Sequence, residues 1–567
     1  MLVALLAACA CSEDDGTSEP PPSDCGRPVC AVAPITREPD VSLDGCTYAS
    51  PIAYETAEGP EVLVLASETL TALSLDGERL WSVVLPAPDG EMAFAVATPV
   101  LIGDRLIAGY HTVERTSDPH DVNRARERQM IAVIDLAARR IDDTFEPLEL
   151  NADFAGHDGE VVPFTATNAL GRALTHLAGS APDELGLVYA TFGNARDIQP
   201  WHGFIFELDL DAWRAHGPDS ALRASFVATP EADCGTPGES GSRTRVCGGG
   251  MWSPSGPLLV ERDGGPELFV STSNGQLDLD RADYANSILR LRPGLIFDPG
   301  CSAEACAGFD PDAPASECVE TCRDLFIPRD APGDPFPWPE SGACDGLTMF
   351  ECWGKLDYIG GSTPAYVELD SGLELLAYPA KDGALYLIDA EYLGTLYDRE
   401  QLVAVCGTET DACLWDWAGM IVTQPAVTEL EGEPLLLVPT FMPDASHPAG
   451  VVAVAITETD DGPKLDVRWQ APRFDDPVAI ERFRRHPSRI RLSEDGRVAW
   501  LVETAARGGR GKLLGIQVSD GAVLVDQPLI GPGYRFTQPL MVGDRIFVPS
   551  CEPDDGPSRL EIFELSL

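Results

Sequence analysis

Positive charge is scarce in this chain of 567 residues: 40 Lys and Arg stand against 91 Asp and Glu, a formal net charge of −51. A surface of that sign repels phosphate backbones and excludes nucleic acid as a partner. The acidic residues are spread along the chain, as on the solvated surface of an extracytoplasmic protein; calcium storage is the alternative use for them. Also lacking, beyond the extreme N-terminus, is any run of the ~18 apolar residues that a membrane span requires, so the body is expected to be soluble. Histidine is rare, with 8 residues and none at metal-pair spacing, so no zinc centre is indicated. His111, His120, His157 and His202 are expected on the surface or in loops. CxxC, CxxCH, GxSxG, HExxH and GxxxxGK followed by Ser or Thr are all missing, which removes the common haem, serine-hydrolase, zinc-protease and nucleotide sites. Helix signals are few, the clearest being Asp121 to Arg128 in a loop insertion.

Cysteine, by contrast, is plentiful. Sixteen cysteines without a CxxC pair imply disulfides formed in an oxidising compartment. The N-terminal run closing on Leu6, Ala7, Ala8 and Cys9 resembles a bacterial lipobox, which makes Cys9 the expected lipidation site. No Lys or Arg precedes this short run, which points to a translation start upstream of Met1. The other reading is a frayed apolar terminus. Residues 1–11 are read as this signal remnant and 12–45, with SEDDGTSEPPPSD, as a disordered tether from the bacterial cell envelope. The membrane is expected to be met through that anchor only.

From Tyr48 the chain repeats a unit: a Ser or Thr followed by Pro, a strand, a Gly or Asp turn, a second strand, and a short apolar strand. The lead-ins are Ser50 and Pro51, Thr98 and Pro99, Ser253 and Pro254, Thr363 and Pro364, Thr423 and Pro425, and Thr537 and Pro539. Phe164 to Asn168 and His486 to Ser488 are degenerate copies, giving eight units. Alternating apolar strands of about five residues with frequent turns predict an all-β ring of four-stranded blades, an eight-bladed β-propeller over residues 46–567. Trp81 and Trp469 are expected to pack between blades. A Cys-rich irregular insertion, residues 300–354, separates units four and five. Its Cys301, Cys306, Cys318, Cys322, Cys344 and Cys352 read as three disulfides of undetermined connectivity. Cys234 with Cys247 and Cys406 with Cys413 are candidate local pairs, and Cys46 with Cys551 a candidate closure of the ring.

The repeat resembles that of the PQQ-binding-like, or quinoprotein alcohol dehydrogenase-like, propellers, a fold shared with non-catalytic outer-membrane assembly scaffold lipoproteins. In the dehydrogenases a Gly run precedes a Trp that floors the quinone, and an Asn turn supplies a calcium ligand. Here Gly248 to Gly250 precede Trp252, and Asn274 occupies the turn, with an echo at Gly193 and Asn194. Asp357, in LDYIG, is similar to the family's catalytic Asp, and Lys381, in AKDG, to its quinone-contacting basic residue. The resemblance thus implies Asp357 as base, Asn274 and Asp357 as Ca²⁺ ligands, and Trp252 and Lys381 as quinone contacts, in line with the chemistry of alcohol oxidation. The family's vicinal cysteine pair is missing, the remaining calcium carboxylate is not identifiable, and each of these residues also has a purely structural reading: a turn for Asn274, a loop cap for Asp357, a hairpin for Lys381, packing for Trp252. Asp278, Asp280 and Asp283 lack EF-hand spacing and read as solvated loop acids. The expectation is a non-catalytic propeller without cofactor that binds a protein or small-molecule ligand at one end of its ring. The alternative is a PQQ- and Ca²⁺-dependent alcohol or sugar dehydrogenase.

Overall fold

A computed structural model describes residues 35–115, 126–156, 158–167, 169–194, 199–234, 247–310, 316–328, 360–403, 422–440, 450–471, 487–504, 509–550 and 558–565. Asp357, Cys9 and the Cys406, Cys413 pair lie outside these residues.

Eight antiparallel sheets follow one another along the chain and form the expected eight-bladed all-β propeller. The first blade shows why each forms. Ile52–Thr56, Gly59–Ala66, Thr69–Leu73 and Arg79–Val84 pair in sequence order. The two middle strands are apolar on both faces and buried, while the last exposes alternate residues. A blade's middle strands are therefore covered on both sides by its neighbours, while its outer strand is the most exposed. Each blade-to-blade seam has its own apolar core. Ile107, Phe145, Val188, Phe206 and Trp213 join the second blade to the third, and Leu436, Val454, Leu375 and Leu387 join the fifth to the sixth. Trp81 packs in the seam of blades one and two, and Trp469 donates from Nε1 to the Val518 carbonyl of the next blade at 2.8 Å.

The lead-ins have a structural role beyond starting a strand. Ser50 N–H donates to Thr98 Oγ1 at 3.1 Å, Ser253 and Thr363 share a hydroxyl bond of 2.5 Å, and Ser362 Oγ donates to the Thr423 carbonyl at 3.1 Å. Gln538 N–H donates to Ser50 Oγ at 3.0 Å, joining the last blade to the first. Short hydroxyl side chains at the repeat's start thus stitch neighbouring blades at the ring's inner rim.

Three expectations need correction. The tether does not extend to residue 45: Thr36–Arg37 and Val41–Ser42 pair with Arg559–Glu564, so the N-terminal segment completes the eighth blade. Closure by a strand from the opposite chain end satisfies backbone groups that would otherwise leave an open edge. The expected partner of Cys46, Cys551, lies outside the described residues, as do Cys344 and Cys352 of the insertion. The Cys-rich insertion is not wholly irregular, because Leu325–Phe326 inside it pairs with Ile288–Leu291 as the outer strand of the fourth blade. Bonds Cys301–Cys322 and Cys306–Cys318 staple the chain just ahead of that strand, and Cys234–Cys247 forms as expected. Asp324 anchors the strand by accepting from Arg290 Nε at 2.7 Å. Burial pushes its carboxyl up, but the bonds from Arg323 and Arg290 outweigh that and hold its pKa below the usual range. Finally, His111 lies within the strand Arg105–Glu114 and not on the surface or in a loop, whereas His202 holds the expected loop position, half-buried. His111 is buried against Phe94, and burial lowers the His202 pKa to about 4.

The helix candidate Asp121 to Arg128 is described only at Arg126–Arg128, which are not helical. A helix does form at Leu210–His216, where Asp209 caps the N-terminus by accepting from Ala212 N–H and Gly217 ends it at φ 89°. The Asp and Gly flanking LDAWRAH were the legible signal for it.

Candidate functional site

Where the inner ends of the blades converge, the chain buries an aromatic cluster. Trp252, Val422 and Phe536 pack together, with Tyr534 against them. Each of the first three stands immediately before a lead-in residue, Ser253, Thr423 and Thr537. Of the three lead-in hydroxyls, that of Ser253 bonds Thr363 of the neighbouring blade, while that of Thr537 donates locally to the Tyr534 carbonyl at 2.9 Å. Phe536 meets Trp252 edge-on, ring centroids 6.1 Å apart, and Tyr534 meets Phe536 in the same way at 5.7 Å. Tyr534 also contacts Tyr48, at 4.8 Å.

Cations close over these rings. Lys381 Nζ lies 4.6 Å from the centroid of Trp252. The Arg172 guanidinium is 4.2 Å from Phe536 and 5.9 Å from Trp252. Arg535 covers Phe536 at 4.7 Å. Lys381 is fully buried and Arg172 nearly so, and Arg172 Nη1 donates to Tyr534 Oη at 3.1 Å. A desolvated cation against an aromatic face is worth about 2 kcal/mol or more, so these contacts hold the cluster shut. Lys381 owes its place to a hairpin: Ala380 to Gly383 turn between Glu374–Pro379 and Ala384–Asp389. Asp382, fully buried, accepts from Ala384 N–H at 3.0 Å and from Tyr386 Oη. Lys381 thus stands in the turn of a hairpin, as its structural reading has it.

The segment carrying Trp252 is threaded between close neighbours. Ser273 N–H donates to the Gly250 carbonyl and Gly249 N–H to the Asn274 carbonyl, both at 2.8 Å. A Cβ on Gly361 would stand 2.4 Å from Trp252 Cζ2, and φ there is +77°. A Cβ on Gly193 would stand 3.0 Å from the same indole. Gly193 and Asn194 end the strand Leu187–Asn194, and the glycine makes room for Trp252.

Of the expected site residues, Trp252 and Lys381 touch, and Asn274 is buried on the segment beside the Gly run. Asp357 lies outside the described residues. A quinone stacked on the Trp252 face that Lys381 covers would have to displace that ammonium. Arg172, Tyr534, Arg535 and Phe536 were not anticipated; the position before each lead-in was the signal for Phe536.

At the other end of the inner strands lies an open groove of about 670 Å³ between blades five and six. Glu368, Asp370, Glu429, Glu433 and Glu458 line it together with Tyr366. The acidic loop of the fourth blade is not wholly solvated either. Asp278 and Asp280 reach solvent, but Asp283 is fully buried and accepts from Glu231 N–H at 2.9 Å.

No protein-family model and no curated protein sequence matches the chain. Solved structures do. A quinohemoprotein alcohol dehydrogenase from Pseudomonas putida HK5 superposes over 94% of this chain and 76% of its own, with a TM-score of 0.51 at 13% identity. A europium-containing methanol dehydrogenase superposes over 94% of this chain and 93% of its own, with a TM-score of 0.52 at 12% identity. Likeness at such identity fixes architecture and leaves activity open. In fold, the chain is an eight-bladed β-propeller similar to those two dehydrogenases.

Proposed function

We propose that this propeller is a non-catalytic binding module of the cell envelope. The observation that supports it is the Trp252 face: Lys381 lies 4.6 Å over it and Phe536 abuts it edge-on, where a dehydrogenase of this fold would hold its quinone. The cluster of Trp252, Val422, Phe536, Lys381 and Arg172 ties five blades at the axis and suits a rigid scaffold better than a substrate channel. Binding is assigned to the groove at the opposite end of the ring. Its five carboxylates favour a cationic ligand, such as a basic protein segment, and add steering to its association.

Purified protein mixed with PQQ and Ca²⁺ and then desalted is expected to retain no quinone absorbance and to reduce no dye with a panel of alcohols. Retained quinone together with turnover, both lost in Asp357→Ala, would establish the dehydrogenase instead. For the groove, a Lys-rich peptide is expected to bind in a salt-sensitive way and to lose affinity in the double variant Glu429→Gln, Glu433→Gln. Equal binding by that variant would remove the groove from the reading.

A further inference from the structure

His202, Cys234 and Cys247 are far apart in sequence, yet the fold brings one ligand atom from each within 4.8 Å of the others. Cys234 and Cys247 are joined as a disulfide. His202 Nδ1 lies 2.7 Å from the Thr229 carbonyl oxygen and 3.2 Å from Thr229 Oγ1. A carbonyl only accepts, so Nδ1 carries the proton and Nε2 the lone pair. That Nε2 lies 3.4 Å from Cys234 Sγ. An imidazole that donates from one nitrogen to a backbone carbonyl and presents the other as a lone pair is oriented as metal-binding histidines are. With Zn–S near 2.3 Å and Zn–N near 2.0 Å, a tetrahedral ion holds its nitrogen and sulfur ligands about 3.5 Å apart, the separation that His202 and Cys234 already have.

We propose that the Cys234–Cys247 disulfide gates a metal site: in the reduced protein the two sulfurs and His202 Nε2 take a divalent cation of the Zn²⁺ class. The step balances with an external dithiol as reductant. Its thiolate attacks Cys234 Sγ, which is partly exposed while Cys247 is fully buried, and Cys247 leaves as a thiolate. The second thiol of the reductant then releases Cys234, and the reductant departs as its own disulfide, having given two electrons and two protons. Metal binding expels the two thiol protons to solvent, and the neutral imidazole donates its lone pair. The sulfurs must part to about 3.8 Å, the spacing of two thiolates on one tetrahedral ion. Among the described residues three ligands converge, which leaves the fourth position to water. Backbone bridges join His202 to Gly248 and Gly248 to Gly275, so the site adjoins the Gly run that carries Trp252.

The test uses the full chain, oxidised or reduced with dithiothreitol under argon and freed of it, and Co²⁺ as an optical probe for Zn²⁺. Reduced protein is expected to show thiolate-to-cobalt charge transfer and tetrahedral d–d bands, and oxidised protein neither. Because reduction opens other disulfides, the site is assigned by alkylation mapping of the wild type: bound Co²⁺ should protect Cys234 and Cys247. His202→Ala keeps every cysteine and should weaken Co²⁺ binding at least about tenfold. Protection centred on other cysteines, an unchanged spectrum in His202→Ala, or no cobalt uptake would each overturn the proposal. The wild-type map decides alone if the variant does not fold.

Discussion

Replacing Asp283 by Asn should make the protein more stable at neutral and alkaline pH, and the gain should vanish in acid. Asp283 is 0% exposed; one carboxylate oxygen accepts from Glu231 N–H and the other finds no hydrogen-bond partner among the described residues. Burial raises its pKa to about 7, opposed by the Glu231 N–H and Arg281 and reinforced by the charges of Asp278 and Glu231. In the unfolded chain an Asp titrates near 3.9, so the folded state binds this proton more tightly by roughly 3 pH units. The sign follows: below pH ~4 both states are protonated and nothing is lost. Between ~4 and 7 each pH unit costs about 1.4 kcal/mol, and above 7 the loss levels off at about 4 kcal/mol. Asn keeps the acceptor for Glu231 N–H and carries no charge, so it removes that loss. Urea midpoints of wild type and Asp283→Asn, taken from pH 4 to 8, should diverge with rising pH and plateau above 7. A difference that stays constant over that range would refute the reasoning, because it would mean that Asp283 ionises alike in the folded and unfolded chain.

Three further outcomes are expected. Gly361→Ala places a methyl against Trp252 at a backbone angle that suits glycine, and should cost about 1–3 kcal/mol while shifting the indole emission; unaltered fluorescence and midpoint would disprove the close approach. A chain beginning at Leu43 lacks the strands that finish the eighth blade and should unfold at lower urea and associate through its open edge, as read by light scattering. Lipidation of Cys9 should drive the cell-derived protein into the detergent phase and leave Cys9→Ser in water; identical partitioning would remove the anchor.

Much of the ring was legible because a blade is a local structure. Its strands are adjacent in sequence, so alternation, Gly and Asp turns and Ser/Thr-Pro lead-ins each report on contacts a few residues away. Leu325–Phe326 escaped because a two-residue strand inside a disulfide-stapled insertion has no periodicity to read. The N-terminal strands escaped because their partner, Arg559–Glu564, comes from the opposite end of the chain. Trp252 and Lys381 were legible as candidates, by resemblance, while the reason they matter here was not.

The sequence by itself determined the fold class, the repeat count and the local Cys234–Cys247 pair, since all three rest on short-range pattern. Tertiary structure alone decided what occupies the axis and what surrounds each charge. Arg172, Lys381 and Phe536 come from three different blades and meet only when the ring closes, and His202 meets Cys234 only when the segment leaving the third blade folds back on a loop of that blade. Asp283 reads like its neighbours Asp278 and Asp280, yet its ionisation is set by a burial that no spacing rule reveals. Chemistry that depends on desolvation and on contacts across the ring is written in the closed propeller, not in any one of its repeats.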